Sequence, residues 1–129
     1  MIPDSHRDLL DRPLLAMLGT IQPDGTPQVM PMWADLADGL IRVNTAIGRQ
    51  KHPNMMKNPH VSVLIVDPDD DFRFIEVRGD VVLITAEGAN EHADKLIAEY
   101  RGPSHVPTAP RSETRVIVSI QPRRVIANG

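Results

Sequence analysis

The chain has 129 residues, 41% of them hydrophobic, and a formal charge of −3, which is enough for one domain with a single core and no staples. The absence of cysteine excludes disulfides, thiolate metal sites and cysteine nucleophiles, and no run approaches the ~20 apolar residues of a membrane-spanning helix. An acidic balance with one Trp, one Tyr and two Phe argues against general nucleic-acid binding and against a base-stacking platform, so an unexported, cytoplasmic protein with no membrane or nucleic-acid partner is expected.

In chain order, Asp4 or Ser5 is placed to cap a short helix through Leu9 and Leu10, which Pro13 stops. Leu14 to Ile21 is an apolar run too short for a buried helix and bounded by turn residues, which predicts a strand covered on both faces. Gln22-Pro23-Asp24-Gly25 is a turn signal, with Pro at a favoured position and Gly free to take positive φ, so a hairpin follows. Its returning segment, Thr26 to Asp35, carries Pro27 and Pro31; proline cannot donate to a central ladder, so this strand is predicted to be an edge or to carry a bulge. Ala37-Asp38-Gly39 turns the chain into a strand from Leu40 to Asn44.

The segment from Arg42 to His60 has the order of an anion site: strand, polar turn at Asn44-Thr45, Gly48, then a helix opened by Arg49 and Lys51 and closed at Asn58-Pro59. A helix start leaves N–H groups unpaired and carries partial positive charge; Arg49 adds a fork of donors, Lys51 a point charge, and Asn44 and Thr45 hydrogen-bonding groups. No Asp or Glu occurs from Gly39 to Val66, although the chain has 17 acids against 14 Lys and Arg. The competing interpretation of the same residues is a solvated helix face whose cations meet only water.

His60 to Val66 predicts a core strand, Asp67 to Asp71 the loop beyond it, and the alternation of Phe74, Glu76, Arg78 and Asp80 with Ile75, Val77 and Val81 a strand with one polar face. A helix beginning at Thr85 or Glu87 carries Ala89, Ala93, Leu96, Ile97 and Tyr100 at helical spacing, and it should pack outside the sheet. Gly102 to Glu113 is a proline-rich mobile loop, and Thr114 to Ile120 a last core strand, extended after Pro122 by Arg124 to Ala127. The sum is a mostly antiparallel sheet that closes into a small barrel and so removes its edges.

Motifs for several chemistries are missing. There is no Gly-x-Ser-x-Gly elbow, Gly-x-Gly-x-x-Gly turn or Walker loop. The five histidines have no zinc spacing, and Asp67 to Asp71 lacks the ligand ladder and closing glutamate of a calcium loop, so no metal is expected.

Five motifs in order resemble one family: Leu18-Gly19-Thr20-Ile21 with Pro23-Asp24-Gly25; Pro27-Gln28-Val29-Met30-Pro31-Met32-Trp33; Asn44-Thr45 with Gly48-Arg49 and Lys51; Asn58-Pro59-His60-Val61-Ser62; and Glu76-Val77-Arg78-Gly79. They are similar to the flavin and deazaflavin oxidoreductases with the split β-barrel of pyridoxamine 5′-phosphate oxidase, in particular the small branch that uses the deazaflavin coenzyme F420. The resemblance spans nearly the whole chain and implies one domain, residues 1–129: mostly β with flanking helices, a split barrel of about six to seven mainly antiparallel strands. It implies that Arg49 and Lys51, with Asn44 and Thr45, hold the cofactor phosphate or acidic tail. Met30, Pro31 and Met32 would lie along the ring system, with Gln28 and Asn54 as further polar contacts. Arg78 is a further candidate, with a cross-strand pair to Glu76 or Asp80 as its alternative. Trp33 is open among core, dimer interface and ring contact. The family's barrels dimerise with the cofactor in a groove between subunits, so a homodimer that shares its sites is expected.

The FMN-binding oxidase branch has an Arg-x-Val-Leu-x-Lys pattern on its second strand, where this chain has Gln28-Val29-Met30-Pro31-Met32 without a cation. Its basic substrate motif near the C-terminus is likewise replaced, by Ser119-Ile120-Gln121-Pro122-Arg123-Arg124. Oxidation of pyridoxamine phosphate is therefore disfavoured, although FMN stays the alternative cofactor. The implied activity is hydride transfer from reduced F420 to a conjugated small-molecule acceptor, enone- or tetrapyrrole-like, with no obligatory catalytic side chain. The alternative is an F420- or FMN-binding carrier without turnover.

Overall fold

The computed structural model describes residues 1–104 and 113–129. Seven strands form one sheet: β1 (Ala16–Ile21), β2 (Pro27–Met32), β3 (Ala34–Ala37), β4 (Leu40–Ala46), β5 (His60–Asp67), β6 (Asp70–Thr85) and β7 (Arg115–Asn128). The helices are α1 (Asp8–Asp11), α2 (Lys51–Lys57) and α3 (Ala89–Arg101). The sheet order is β2-β1-β5-β6-β7-β4-β3, and every pairing is antiparallel. β2 and β3 are therefore the two edges of the sheet, yet only Trp33 separates them in the chain. A sheet whose edges are joined by one residue must curl on itself, and this gives the split barrel.

The interior follows the strand period of two. Ala16 and Leu18 of β1, Ile41 and Val43 of β4, Val61, Val63 and Ile65 of β5, Ile75 and Val77 of β6, and Val116, Val118 and Ile120 of β7 are all buried in one cluster. β1 alternates between buried and half-buried residues, so only its inner face is fully covered, contrary to the expectation of two covered faces. The proline-bearing segment is an edge as predicted, but it divides at Trp33 into β2 and β3, which lie at opposite ends of the sheet. Its hairpin turn closes through Gln22 and Thr26, with Asp24 Oδ1 accepting from the Thr26 N–H and hydroxyl.

β6 and β7 run on past their predicted ends and bend around the barrel. Their register shifts at Arg78/Gly79, where Gly79 lies opposite Pro122. A Cβ at residue 79 would stand 2.5 Å from the Gln121 carbonyl oxygen, so only glycine permits this approach. β6 reaches Thr85, whose hydroxyl accepts from the Glu87 N–H, and Gly88 at φ 74° turns the chain into α3 two to four residues later than predicted. α3 packs against β4 and β7 on the outer side, burying Ala89, His92, Ala93, Leu96 and Ile97. The first helix divides into a 3-10 turn, Asp4–His6, and α1, and neither has a side-chain cap. Ser5 Oγ bonds His6 Nδ1 instead, and Asp8 pairs with Arg73, while Leu9 and Leu10 fill the core against β3 and β5. Of the predicted loop between Gly102 and Glu113, residues 105–112 lie outside the described residues.

Candidate functional site

A cleft of about 900 Å³ opens where the edge at β2 and Trp33 meets the end of β4, the start of α2 and the outer helix α3. Its wall has an apolar part, with Leu15, Met30, Pro31, Met32, Trp33, Leu96 and Ile97, and a cationic part, with Arg49, Lys51 and Arg115 beside Asn44 and Thr45. Arg101 adds a fourth cation, its guanidinium 5.3 Å from the centre of the Trp33 ring. Among the described lining residues there is no Asp or Glu.

Seven of the ten residues singled out from the sequence converge here: Met30, Pro31, Met32, Asn44, Thr45, Arg49 and Lys51. β4 delivers Asn44 and Thr45 on its two faces, and the turn after Ala46, with Gly48 at φ 102°, carries the chain into Arg49 and α2. Lys51 is only 8% exposed and has no hydrogen-bond or ion-pair partner among the described residues. Burial pushes its pKa below the usual lysine value, and the nearby Arg49 and Arg115 charges push it further in the same direction. Thr45 is 1% exposed, and its Oγ1 is the one buried side-chain oxygen or nitrogen without a partner among the described residues. A mostly buried cation and an unsatisfied hydroxyl on two residues that line one cleft are each costly alone, and an anion that reached both would relieve that cost.

The other three candidates stand elsewhere. Asn54 is fully buried, and its amide is used within the fold: Nδ2 donates to Thr20 Oγ1 at 3.1 Å and to Gln28 Oε1 at 3.3 Å, while Oδ1 accepts from Gln50 Nε2 at 2.7 Å. Gln28 is thus the partner of Asn54 and outside the cleft lining. Arg78 is exposed on β6 and pairs with Glu76 at 3.2 Å, two residues back on the same strand and not across strands as the alternative had it. Trp33 is half-buried and is not part of the core cluster. It lines the cleft and stacks on Tyr100, with centroids 5.0 Å apart, while the Tyr100 hydroxyl donates to the Leu14 carbonyl and accepts from the Ala34 N–H.

Asn44 is more engaged than its sequence context implied. Nδ2 donates to the Ala89 carbonyl at 2.8 Å and to His92 Nδ1 at 3.1 Å, and Oδ1 accepts from Arg115 Nε at 2.6 Å. Sequence reasoning missed Arg115, Arg101, Asp35 and His92. Arg115 lies 71 residues from Asn44, and only the pairing of β4 with β7 joins them, so no local signal existed. His92 had one: it falls on the apolar stripe of α3 between Ala89 and Ala93, where a polar residue needs a buried partner. The Asp67 carboxylate holds Arg73 and the Asp69 N–H, and among the described residues no cluster of His, Asp and Glu is arranged to hold a metal. Among them too, no helix is long and apolar enough to cross a membrane.

A split barrel with a basic, half-apolar cleft at its edge defines a class of fold, that of the flavin- and deazaflavin-related oxidoreductases. The sequence pattern of pyridoxamine 5′-phosphate oxidase matches residues 2–129, and the chain belongs to that family. Among solved structures it is similar to an F420 reductase, with 37% identity, a TM-score of 0.88, and 97% of this chain and 98% of that chain covered. It is also similar to a conserved hypothetical protein from Mycobacterium tuberculosis, with 28% identity, a TM-score of 0.80, and 99% and 85% covered. HupZ of Group A Streptococcus follows at 25% identity, with a TM-score of 0.71 and 98% and 94% covered. No curated protein matches the chain.

Proposed function

We propose that this protein is an oxidoreductase that binds coenzyme F420 in the cleft and reduces a conjugated small-molecule acceptor, enone- or tetrapyrrole-like. The observation that carries the proposal is the combination of the largely buried Lys51, whose ammonium has no partner among the described residues, with the orphaned Thr45 hydroxyl, in a lining that also holds Arg49 and Arg115. These groups fit a phosphorylated, acidic tail: Arg49, Lys51, Arg115 and Thr45 would hold its anionic groups. Met30, Pro31, Met32 and Trp33 form the apolar wall suited to a flat ring system. The similarity to an F420 reductase over nearly the full length of both chains supports the same assignment.

When bound, the reduced cofactor supplies a hydride. The chain's own part is to anchor the tail, set the ring against the apolar wall and exclude water from it. The described lining has no carboxylate, imidazole or thiol, and the proposal assigns no side chain as the proton donor. A second copy of the chain is part of the proposal. The outer face of β1, β2, β5 and β6 leaves an apolar groove of about 360 Å³ between Met17, Val29, Leu64 and Phe74, with Val29 66% exposed, a surface suited to a two-fold partner.

Fluorescence titration with F420 and with FMN in one buffer tests the cofactor, and F420 is expected to bind more tightly. Tighter FMN binding would reverse the assignment. Oxidation of reduced F420 in the presence of enones and tetrapyrroles then tests turnover; no rate above the protein-free control with any acceptor would make the protein a carrier.

A further inference from the structure

We infer that Asn44 and His92 are positioning residues, which act on the cleft's anion site by fixing the guanidinium of Arg115. The inference rests on the proposed function only in taking the cationic part of the cleft as an anion site.

A chain of buried polar contacts runs from the far side of α3 to the cleft. Asp35 on β3 accepts from Arg42 at 2.9 and 2.7 Å, from Lys95 at 2.9 Å and from His92 Nε2 at 3.2 Å. His92 Nδ1 faces Asn44 Nδ2 at 3.1 Å, and Asn44 Oδ1 faces Arg115 Nε at 2.6 Å. The direction of each bond follows from the ends of the chain. A carboxylate that faces two cations accepts only, so His92 carries its proton on Nε2 and presents Nδ1 as an acceptor. Nδ1 and the Ala89 carbonyl then both require the Asn44 amine, and flipping the amide would set oxygen against two acceptors. Oδ1 is left with one direction, toward Arg115.

The consequence lies in the cleft. An arginine side chain has many rotamers, and its worth to an anion depends on how much freedom binding must still remove. Holding Nε fixes the plane of the guanidinium, because Nε and both terminal nitrogens are coplanar. Glu113 Oε2 at 3.3 Å from Nη1 is a second tether. Arg115 is therefore pre-oriented beside Lys51, whereas exposed Arg49, 3.5 Å from Glu113, is held only loosely. Asn44 also ties β4 to α3 through Ala89, so a purely structural role is the alternative to be tested.

The test measures binding of tripolyphosphate by calorimetry and of F420 by fluorescence, for the parent chain and for Arg115→Ala, Arg115→Lys, Asn44→Leu and Asn44→Leu/Arg115→Ala. Arg115→Lys keeps the charge and loses the Nε contact. It is expected to bind about tenfold more weakly than the parent, the scale of one charge-assisted hydrogen bond. Asn44→Leu is expected to weaken binding by a similar factor, and to add nothing once Arg115 is already alanine. His92→Leu, which leaves Asn44, Ala89 and Arg115 intact, supplies the same cycle if Asn44→Leu does not fold. The proposal is overturned if Arg115→Lys binds like the parent, or if loss of Asn44 or His92 lowers Tm while anion affinity stays unchanged. Tripolyphosphate binding without F420 binding would reject the cofactor assignment and leave the positioning role standing.

Discussion

Lys51 is where the chemistry of the cleft is concentrated. Its side chain is largely buried beside two other cations, and burial first, then Arg49 and Arg115, lowers its pKa. The apoprotein bears the cost of that charge, and a bound anion would remove it. Lys51→Met is therefore expected to raise Tm in the absence of cofactor and to weaken F420 binding by about 1–3 kcal/mol, the loss of a charge-assisted contact. Lys57→Ala, at an exposed position in the last turn of α2, is the control and should cost well under ~1 kcal/mol in affinity. Thermal scans with paired titrations check both effects; equal binding by the two variants would remove the anion site from this helix. The pH dependence has a definite sign. The anion favours protonated Lys51, so affinity should be constant at neutral pH and fall as pH rises through a pKa below that of free lysine. Titration of F420 binding between neutral and alkaline pH checks this, with Lys51→Met removing the inflection.

At the scale of elements, α3 is held to the sheet by an apolar stripe and by one buried carboxylate. Burial alone would raise the pKa of Asp35. Hydrogen bonds from His92, Arg42 and Lys95 outweigh it and hold the carboxyl well below its usual range. A depressed folded-state pKa means that this contribution is complete above the unfolded value of about 4 and is lost as pH falls through the folded value. Asp35→Asn should therefore lower stability at neutral pH and flatten its decline in acid, as read by denaturant unfolding from pH 7 to pH 2. Asp35→Ala should cost about 2–4 kcal/mol, in line with breaking a buried pair from one side, less the relief that partly exposed Arg42 and Lys95 find in water. The same loss should reach the cleft through His92 and Asn44, so F420 affinity ought to fall in these variants as well.

At the scale of the molecule, the curled sheet separates two surfaces. The cleft lies along the edge at Trp33, and the opposite apolar groove lies over β1, β2, β5 and β6. Val29, 66% exposed, stands in that groove beside Met17, Leu64 and Phe74, and it is the position at which a partner would be most sensitive to charge. Val29→Arg is expected to convert a dimer into a monomer, read by light scattering at micromolar concentration, and to weaken F420 binding if the partner contributes to the site. A parent chain that is monomeric and binds F420 with unchanged affinity would remove the shared-site arrangement.

Local pattern was enough for the strands, the Gln22–Gly25 hairpin, the edge position of the proline-bearing segment and the cationic turn before α2, because each depends on neighbours within a few residues. Period two placed Val61, Val63 and Val77 in the core, while residue type and spacing left Arg49 and Lys51 open between an anion site and a solvated face until the family resemblance favoured the former. Sequence could not separate β2 from β3 at Trp33, since nothing local marks the point where one strand passes from one edge of a closed sheet to the other. It also could not tell that Asn54 is wholly engaged by Thr20, Gln28 and Gln50 whereas Thr45 is left unsatisfied, because whether a polar atom finds a partner depends on residues distant in the chain. Arg115 entered the site for the same reason: the β4–β7 register sets it beside Asn44, and that register exists only once these two strands, distant in sequence, have paired.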